Sequence, residues 1–381
     1  MSRTTLTIAM NGVTGRMGYN QHLVRSILAI RADGGYRLPD GTVIWPEPVL
    51  VGRNHEKLKV IAERHGLDRY TTGLDEALDG ADIYFDAQLT GLRVPAVERA
   101  IAAGAHVYIE KPSAPSTQEA LYLARLARDA GVKSGVVQDK LFLPGLLKLK
   151  RLVEGGFFGR VLSVRGEFGY WVQEGDWQPA QRPSWNYRAA DGGGIVLDMF
   201  PHWQYVMENL FGRVRTVYAQ SVTHIPCRVD ELGAPYEATA DDAAYAVFGL
   251  DGGIVVQVNS SWAVRVHRGE LAEFQVDGTE GSAVAGLRDC VVQHRAVTPR
   301  PIWNPDVPDD ADFLSQWQPV PGNGVSGNGF RAQWELFLSH VVAGTPFPHG
   351  LLAGARGVQL AEIGMRSAAE GRRLAVPELS L

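Results

Sequence analysis

Short apolar runs alternate with stretches of helical spacing through the first third of the chain. Residues 5–10 form a largely apolar run that stops at Asn11-Gly12, as a buried parallel strand would. From Met17 to Ala32, the residues Leu23, Ile27, Leu28 and Ile30 recur at helical spacing. A polar insertion rich in Gly and Pro, Asp33 to Pro48, precedes a second apolar strand, Val49-Leu50-Val51. The pattern then predicts a helix over 55–65, a strand at Ile83-Tyr84-Phe85 and a helix after Pro95. A strand over 106–109, a helix over 117–130 and a strand from Ser134 to Val137 follow. Strands alternating with helices imply right-handed crossovers and a mostly parallel sheet. Residues 1–140 are therefore expected to form a doubly wound α/β domain.

The periodicity changes after about residue 157. Residues 161–171 alternate between polar and apolar, and so does the region 244–258 around Asp251-Gly252-Gly253, a hairpin signal. Segments 271–277 and 289–295 add strands. Residues 141–381 are expected to form an α+β domain with a large, mostly antiparallel open sheet. Residues 297–327, dense in Pro, Gly, Asn and Asp, read as a long loop or lid. Two closing helices, near 329–343 and 353–372, could pack back on the first domain.

Composition narrows the classes. The 381 residues are 45% hydrophobic and 21% charged, with a net charge of −5, which argues against a nucleic-acid-binding surface. Cys227 and Cys290 stand apart in no C-x-x-C pattern and read as buried thiols of a reducing compartment. The N-terminal residues carry no signal-peptide pattern, and no apolar run is long enough to span a bilayer. A soluble cytoplasmic protein is expected.

Gly12-Val13-Thr14-Gly15-Arg16-Met17-Gly18 lies between the first strand and the first helix. Glycine there lets the backbone turn tightly and approach a pyrophosphate at the helix N-terminus, as in a Rossmann-type domain. A plain strand-to-helix turn is the bland alternative, made less attractive by the alternating context. Val13 stands where the usual fingerprint has its first glycine, which loosens any inference about the dinucleotide. At the end of the second strand, Gly52-Arg53-Asn54 replaces the acidic residue that would hold a ribose hydroxyl. The Arg53 guanidinium suits a 2′-phosphate, but it can equally stack on adenine or point to water. The expected cofactor is NAD(P)(H), tilted towards NADP. Arg16 can contact phosphate or only cap the helix.

Lys111, in Glu110-Lys111-Pro112, follows a strand at the end where ligands bind in such sheets. It can hold a substrate hydroxyl and favour its ionisation, although a lone loop lysine is more often simply solvated. Asp198 and His202, in the stretch from Gly192-Gly193-Gly194 onwards, are four apart and share a face of a continuous helix. Asp198 could then orient the imidazole as a general base, provided that any bend at Pro201 is mild. A structural pair, or two ligands of a metal site, are the alternatives. No third ligand stands at a recognisable spacing, so no metal is expected. Trp185, Asn186, Tyr187 and Arg188 suit a pyranose-like ring, or else form a surface loop anchored by Trp185. Trp171 and Trp177 have similar standing.

Together, the glycine turn, Glu110-Lys111-Pro112, the Gly192 to His202 stretch, Ser261-Trp262 and the closing helices resemble the Gfo/Idh/MocA oxidoreductase family over nearly the whole chain. The Glu-Lys-Pro triplet combined with the glycine run, Asp198 and His202 is specific; the glycine turn alone is not. The resemblance implies hydride transfer between nicotinamide and a CH–OH carbon of a sugar, glycoside or cyclitol. Lys111, Asp198 and His202 would be the catalytic trio, with Lys111 holding the oxygen, His202 taking the proton and Asp198 tuning it. Gly12, Thr14, Gly15, Arg16, Met17, Gly18, Arg53, Glu110 and Lys111 would line the cofactor. Lys111, Trp185, Tyr187, Arg188, Asp198 and His202 would meet the substrate. It also implies a homo-oligomer, dimer or tetramer, through the C-terminal sheet. Two departures stand out: Tyr205 where many members carry an acid, and Phe200 where a small residue is usual before proline. The competing readings are an imine or ketone reductase of dihydrodipicolinate-reductase type and a non-catalytic dinucleotide sensor.

Overall fold

Parallel strands dominate the first sheet, in the order β2-β3-β1-β5-β6-β7, with β4 on β3. These are β1 (Arg3–Asn11), β2 (Tyr36–Arg37), β3 (Val43–Val51), β4 (Tyr70–Thr71), β5 (Ile83–Asp86), β6 (His106–Ile109) and β7 (Ser134–Val136). The computed structural model describes residues 2–301, 304–308, 311–322 and 328–381. Parts of the expected 297–327 loop thus lie outside the described residues.

The stretch 33–48, read above as a polar insertion, contains strand. Tyr36–Arg37 pairs antiparallel with Val43–Ile44, and β3 runs on through Pro46 and Pro48. Strand parity explains how the prolines are tolerated. The N–H of Val43 donates to Ser2 on the β1 side, whereas that of Leu50 donates outwards to Arg69. Positions 46 and 48 share the parity of Leu50, so their missing donors face away from β1.

Apolar clusters cover both faces of this sheet. On one face lie the helices Arg93–Ala102 and Thr117–Asp129. On the other lie Met17–Leu28, wound as a π-helix, with His55–His65 and Gly329–Ala343. The Rossmann-type reading holds, and the strand order reverses between β1 and β5, the switch point at which such sheets bind ligands.

A second compact unit comprises residues 143–327 and 363–377, while 1–142, 328–362 and 378–381 form the first. The penultimate helix and most of the last accordingly belong to the first unit. The second unit is built on a nine-stranded sheet, β17-β16-β15-β14-β8-β13-β12-β9-β18. Its members are β8 (Val161–Phe168), β9 (Val214–Val222), β12 (Ala243–Leu250), β13 (Val255–Ser261) and β14 (Ala272–Gly278). Beyond these come β15 (Gly281–Ala285), β16 (Cys290–His294), β17 (Gln318–Pro319) and β18 (Leu374–Ala375). A separate ribbon joins β10 (Cys227–Val229) to β11 (Pro235–Glu237). Among the described residues of this sheet, only β8 and β13 pair in parallel, in keeping with the mostly antiparallel sheet expected. The Asp251-Gly252-Gly253 turn joins β12 to β13 as its pattern indicated.

The helix Ile195–Leu210 packs on this sheet. Trp203 sits edge-on to Phe168 and Phe274, at 5.6 Å from each, and its indole N–H donates to Ser260 Oγ. Phe200 meets Phe248 at 5.5 Å, and a Cβ on Gly364 would lie 2.5 Å from the Phe200 ring. Phe200 is therefore a core residue. The cysteines differ: Cys290 is buried, but Cys227 is exposed on the small ribbon, contrary to expectation. Among the described residues, no helix is long and apolar enough to cross a membrane.

Candidate active site

The chain turns at Gly12 with φ of +85°, and a Cβ there would lie 2.6 Å from the carbonyl carbon of Ala87 just beyond β5. The Gly15 N–H donates to the Gly12 carbonyl at 3.0 Å, and the Tyr19 N–H to that of Gly15 at 2.9 Å. A Cβ on buried Gly18 would strike the Gly12 carbonyl oxygen. Glycine at these positions lets the helix Met17–Leu28 start hard against the end of β1. Thr14, Gly15 and Arg16 remain exposed and Met17 half-buried, so the first helix amides open onto the switch point, as a dinucleotide pyrophosphate requires. Arg16 makes no side-chain cap to this helix. Exposed Arg53 follows β3, while Asn54 caps the next helix by accepting from the Lys57 N–H at 2.9 Å. The residues present fit a dinucleotide.

Lys111 stands between two anchored neighbours. On one side, the Glu110 carboxylate meets His22 Nε2 at 2.8 Å and accepts the Lys111 N–H at 3.1 Å. Burial alone would raise the Glu110 pKa. The hydrogen bond from His22, with the charges of Lys111 and Arg93, outweighs it and holds the group below the usual glutamate range. The Glu110 carboxylate is thus committed to His22 and the Lys111 amide inside the first unit. On the other side, the buried Arg93 guanidinium donates to the Pro112 carbonyl, to Asp86 Oδ1 at 2.9 Å and to the Gln88 carbonyl at 2.9 Å. Asp86 also accepts from the Tyr84 hydroxyl at 2.6 Å, and Asn11 donates to that hydroxyl. Burial, then the Asp86 charge, push the Tyr84 hydroxyl well above the usual tyrosine range.

In the second unit, Asp198 and His202 lie on the helix Ile195–Leu210, which runs through Pro201. Its start depends on the glycine run. Gly192 and Gly194 adopt φ of +77° and +121°, and a Cβ on Gly194 would come 2.7 Å from Asp241 Oδ1. A Cβ on Gly193 would collide with the Asn186 carbonyl. Asp241 caps the helix by accepting the Val196 N–H at 2.8 Å, and its burial raises its pKa against that bond. Asp198 Oδ2 is ion-paired with Arg182 Nη2 at 2.8 Å. His202 Nδ1 lies 2.6 Å from the Tyr205 hydroxyl.

Sequence reasoning missed Arg182, whose guanidinium lies 4.6 Å above the Trp262 ring and also donates to Asn186. It sits in an irregular stretch with no periodicity to flag it. Tyr187 is a correction. It is fully buried between Trp262 and Arg228, and its hydroxyl donates to the Gln173 carbonyl at 2.7 Å, so it supports the loop and offers a substrate nothing. Burial raises its pKa against the lowering charge of Arg228. Trp185 is exposed, and Arg188 stacks over Tyr236 at 4.7 Å.

Two family models match the chain, the NAD-binding Rossmann fold of an oxidoreductase family over residues 7–138 and the GFO/IDH/MocA C-terminal domain over 146–284. The chain belongs to the GFO/IDH/MocA oxidoreductase family. A D-xylose dehydrogenase of Paenarthrobacter nicotinovorans is 57% identical over the full length of both chains. A levoglucosan dehydrogenase of Pseudarthrobacter phenanthrenivorans is 27% identical over 63% of this chain and 66% of its own. The fold is shared with a levoglucosan dehydrogenase solved with NADH and levoglucosan, at a TM-score of 0.80 and 21% identity over 99% of this chain and 100% of the other. The reading of a nicotinamide-dependent dehydrogenase therefore holds. Since the second unit matches this family's own C-terminal domain, the dihydrodipicolinate-reductase alternative falls away.

Proposed function

We propose that the protein oxidises a hydroxyl-bearing ring carbon of a free pyranose sugar, with an aldopentose of D-xylose type as substrate. The observation that carries this reading is the full-length 57% identity to a D-xylose dehydrogenase. Nicotinamide, when bound, supplies hydride acceptance. Lys111 holds the substrate hydroxyl oxygen, and its charge favours loss of the proton. His202 receives that proton at Nε2, because Nδ1 is engaged by Tyr205. The C–H pair leaves as hydride, the O–H proton goes to His202, and a C=O bond forms. Asp198, held by Arg182, orients the imidazole side of the site, and Trp185 and Arg188 contribute to the sugar wall.

Steady-state nicotinamide absorbance with D-xylose, other pentoses, levoglucosan and inositol tests this. Turnover on pentoses, lost in Lys111→Ala and His202→Ala, is expected; dinucleotide binding without turnover across the panel would favour the sensor. For the dinucleotide, exposed Arg53 favours a 2′-phosphate. If Arg53→Ala weakens NADP binding no more than NAD binding, that preference is wrong.

A second copy of the chain is proposed to cover the open face of the nine-stranded sheet. Tyr218 and Val247 are both exposed and pair directly across β9 and β12, with Tyr245 and Val255 exposed on neighbouring positions. Light scattering on wild type and Val247→Lys tests the dimer or tetramer. The free, exposed thiol of Cys227 is in keeping with the reducing cytoplasm in which the enzyme is proposed to work.

A further inference from the structure

The buried imidazole of His22 lies on the helix that opens at the dinucleotide turn, fully enclosed by Phe85, Phe330 and Trp334. Its two nitrogens have different partners. The Trp334 indole N–H, which can only donate, lies 3.0 Å from Nδ1. Nδ1 must therefore accept, and the ring proton sits on Nε2, which donates to Glu110 Oε1 at 2.8 Å. A doubly protonated ring would set two N–H groups against each other at Nδ1. Trp334 thus fixes the tautomer, the tautomer fixes the carboxylate, and the second carboxylate oxygen takes the backbone N–H of Lys111.

We propose that His22 is a positioning residue for the dehydrogenase reaction, holding Glu110 ionised and oriented so that Lys111 is presented to the substrate from a fixed backbone. The proposal rests on the reading of Lys111 as the residue that holds the substrate oxygen. The charged and titratable groups facing Glu110 are His22 from the helix, Lys111 beside it, and Arg93 from the helix after β5; the Tyr108 hydroxyl also feels its charge. Replacing His22 by an apolar residue removes the donor that reaches Glu110 from the helix. A buried carboxylate without it protonates at higher pH, and the charge beside Lys111 is lost with that protonation. Glutamine in place of His22 would keep the pattern, with its amide N–H donating to Glu110 and its carbonyl accepting from Trp334.

The test compares His22→Phe, His22→Gln, Glu110→Gln and Lys111→Ala in the full-length enzyme, reading kcat, KM for D-xylose, NADH affinity by fluorescence, and the pH profile of kcat. His22→Phe should lower kcat by roughly tenfold or more, and His22→Gln should recover most of it. In His22→Phe the Glu110 step of the acid limb should move to higher pH, and in Glu110→Gln that step should be absent at low kcat while the step set by His202 remains. NADH affinity should change little in either. A His22→Phe enzyme with unaltered kcat and acid limb overturns the proposal. So does an equal loss in His22→Phe and His22→Gln without movement of the limb, which is the mark of packing alone. Should Lys111→Ala retain turnover, the assignment of Lys111 fails instead, and the two failures are distinct. Nitrogen NMR of the wild type gives a check that needs no stable variant: the His22 proton is expected on Nε2, and a proton on Nδ1 refutes the relay.

Discussion

The Tyr205 hydroxyl lies 2.6 Å from Nδ1 of His202, one helical turn along the same helix. For His202 to receive a substrate proton, Nε2 must carry the lone pair and Nδ1 the hydrogen. The tyrosine oxygen then accepts from Nδ1, a bond that strengthens as the ring becomes cationic. Tyr205→Phe should lower kcat for sugar oxidation by roughly tenfold with a smaller change in KM. An unchanged kcat would show that Tyr205 only packs.

Gly18→Ala is expected to abolish dinucleotide binding. The added methyl strikes the Gly12 carbonyl, so the helix start must move away from β1. Titration of NADH fluorescence reads the loss, and circular dichroism separates it from unfolding. Affinity within about threefold of wild type would mean that the turn yields without cost.

Arg93 and Asp86 form an ion pair buried to within a few per cent of complete, and the arginine also ties down the Pro112 carbonyl. Arg93→Met leaves Asp86 charged and enclosed, which should cost about 3–5 kcal/mol of stability. Denaturant unfolding at neutral pH measures it. Asp86→Asn with Arg93→Met should be less harmful than the single change, since no uncompensated charge is then buried.

Burial pushes the Cys290 thiol up to about 11, against the lowering charges of Lys148 and Arg151. Its thiolate is therefore scarce at neutral pH, and alkylating reagents should label exposed Cys227 first. Mass spectrometry of the native protein should find one modified thiol, and a second only after unfolding. Early modification of Cys290 would contradict the packing around β16.

The alternating first unit was legible because a strand buried on both faces is a continuous apolar run, and the switch point follows from strand order. The edge region was not. The stretch from Asp33 to Pro48 carries Gly and Pro at densities that otherwise signal a loop, and part of it is strand because β3 pairs along its length with β1 while Tyr36–Arg37 pairs with Val43–Ile44. Within the site, Lys111, Asp198 and His202 stood out by residue type and spacing. Their partners did not: His22 and Glu110 are 88 residues apart, and His22 and Trp334 are 312 apart. Nor does anything in the order of residues show that Tyr187 is roofed by Arg228 or that Arg182 reaches Asp198. Such pairings belong to tertiary packing, for which local periodicity carries no signal.

The prolines of β3 have one more effect. β2 pairs only with its first residues and β4 only with its last. Between them β3 has no ladder partner on that side among the described residues, yet Pro46 and Pro48 are buried there and the Pro46 carbonyl accepts from Arg31. Two outward amide hydrogens that would otherwise be enclosed without an acceptor are absent, so the border is closed over without a further strand.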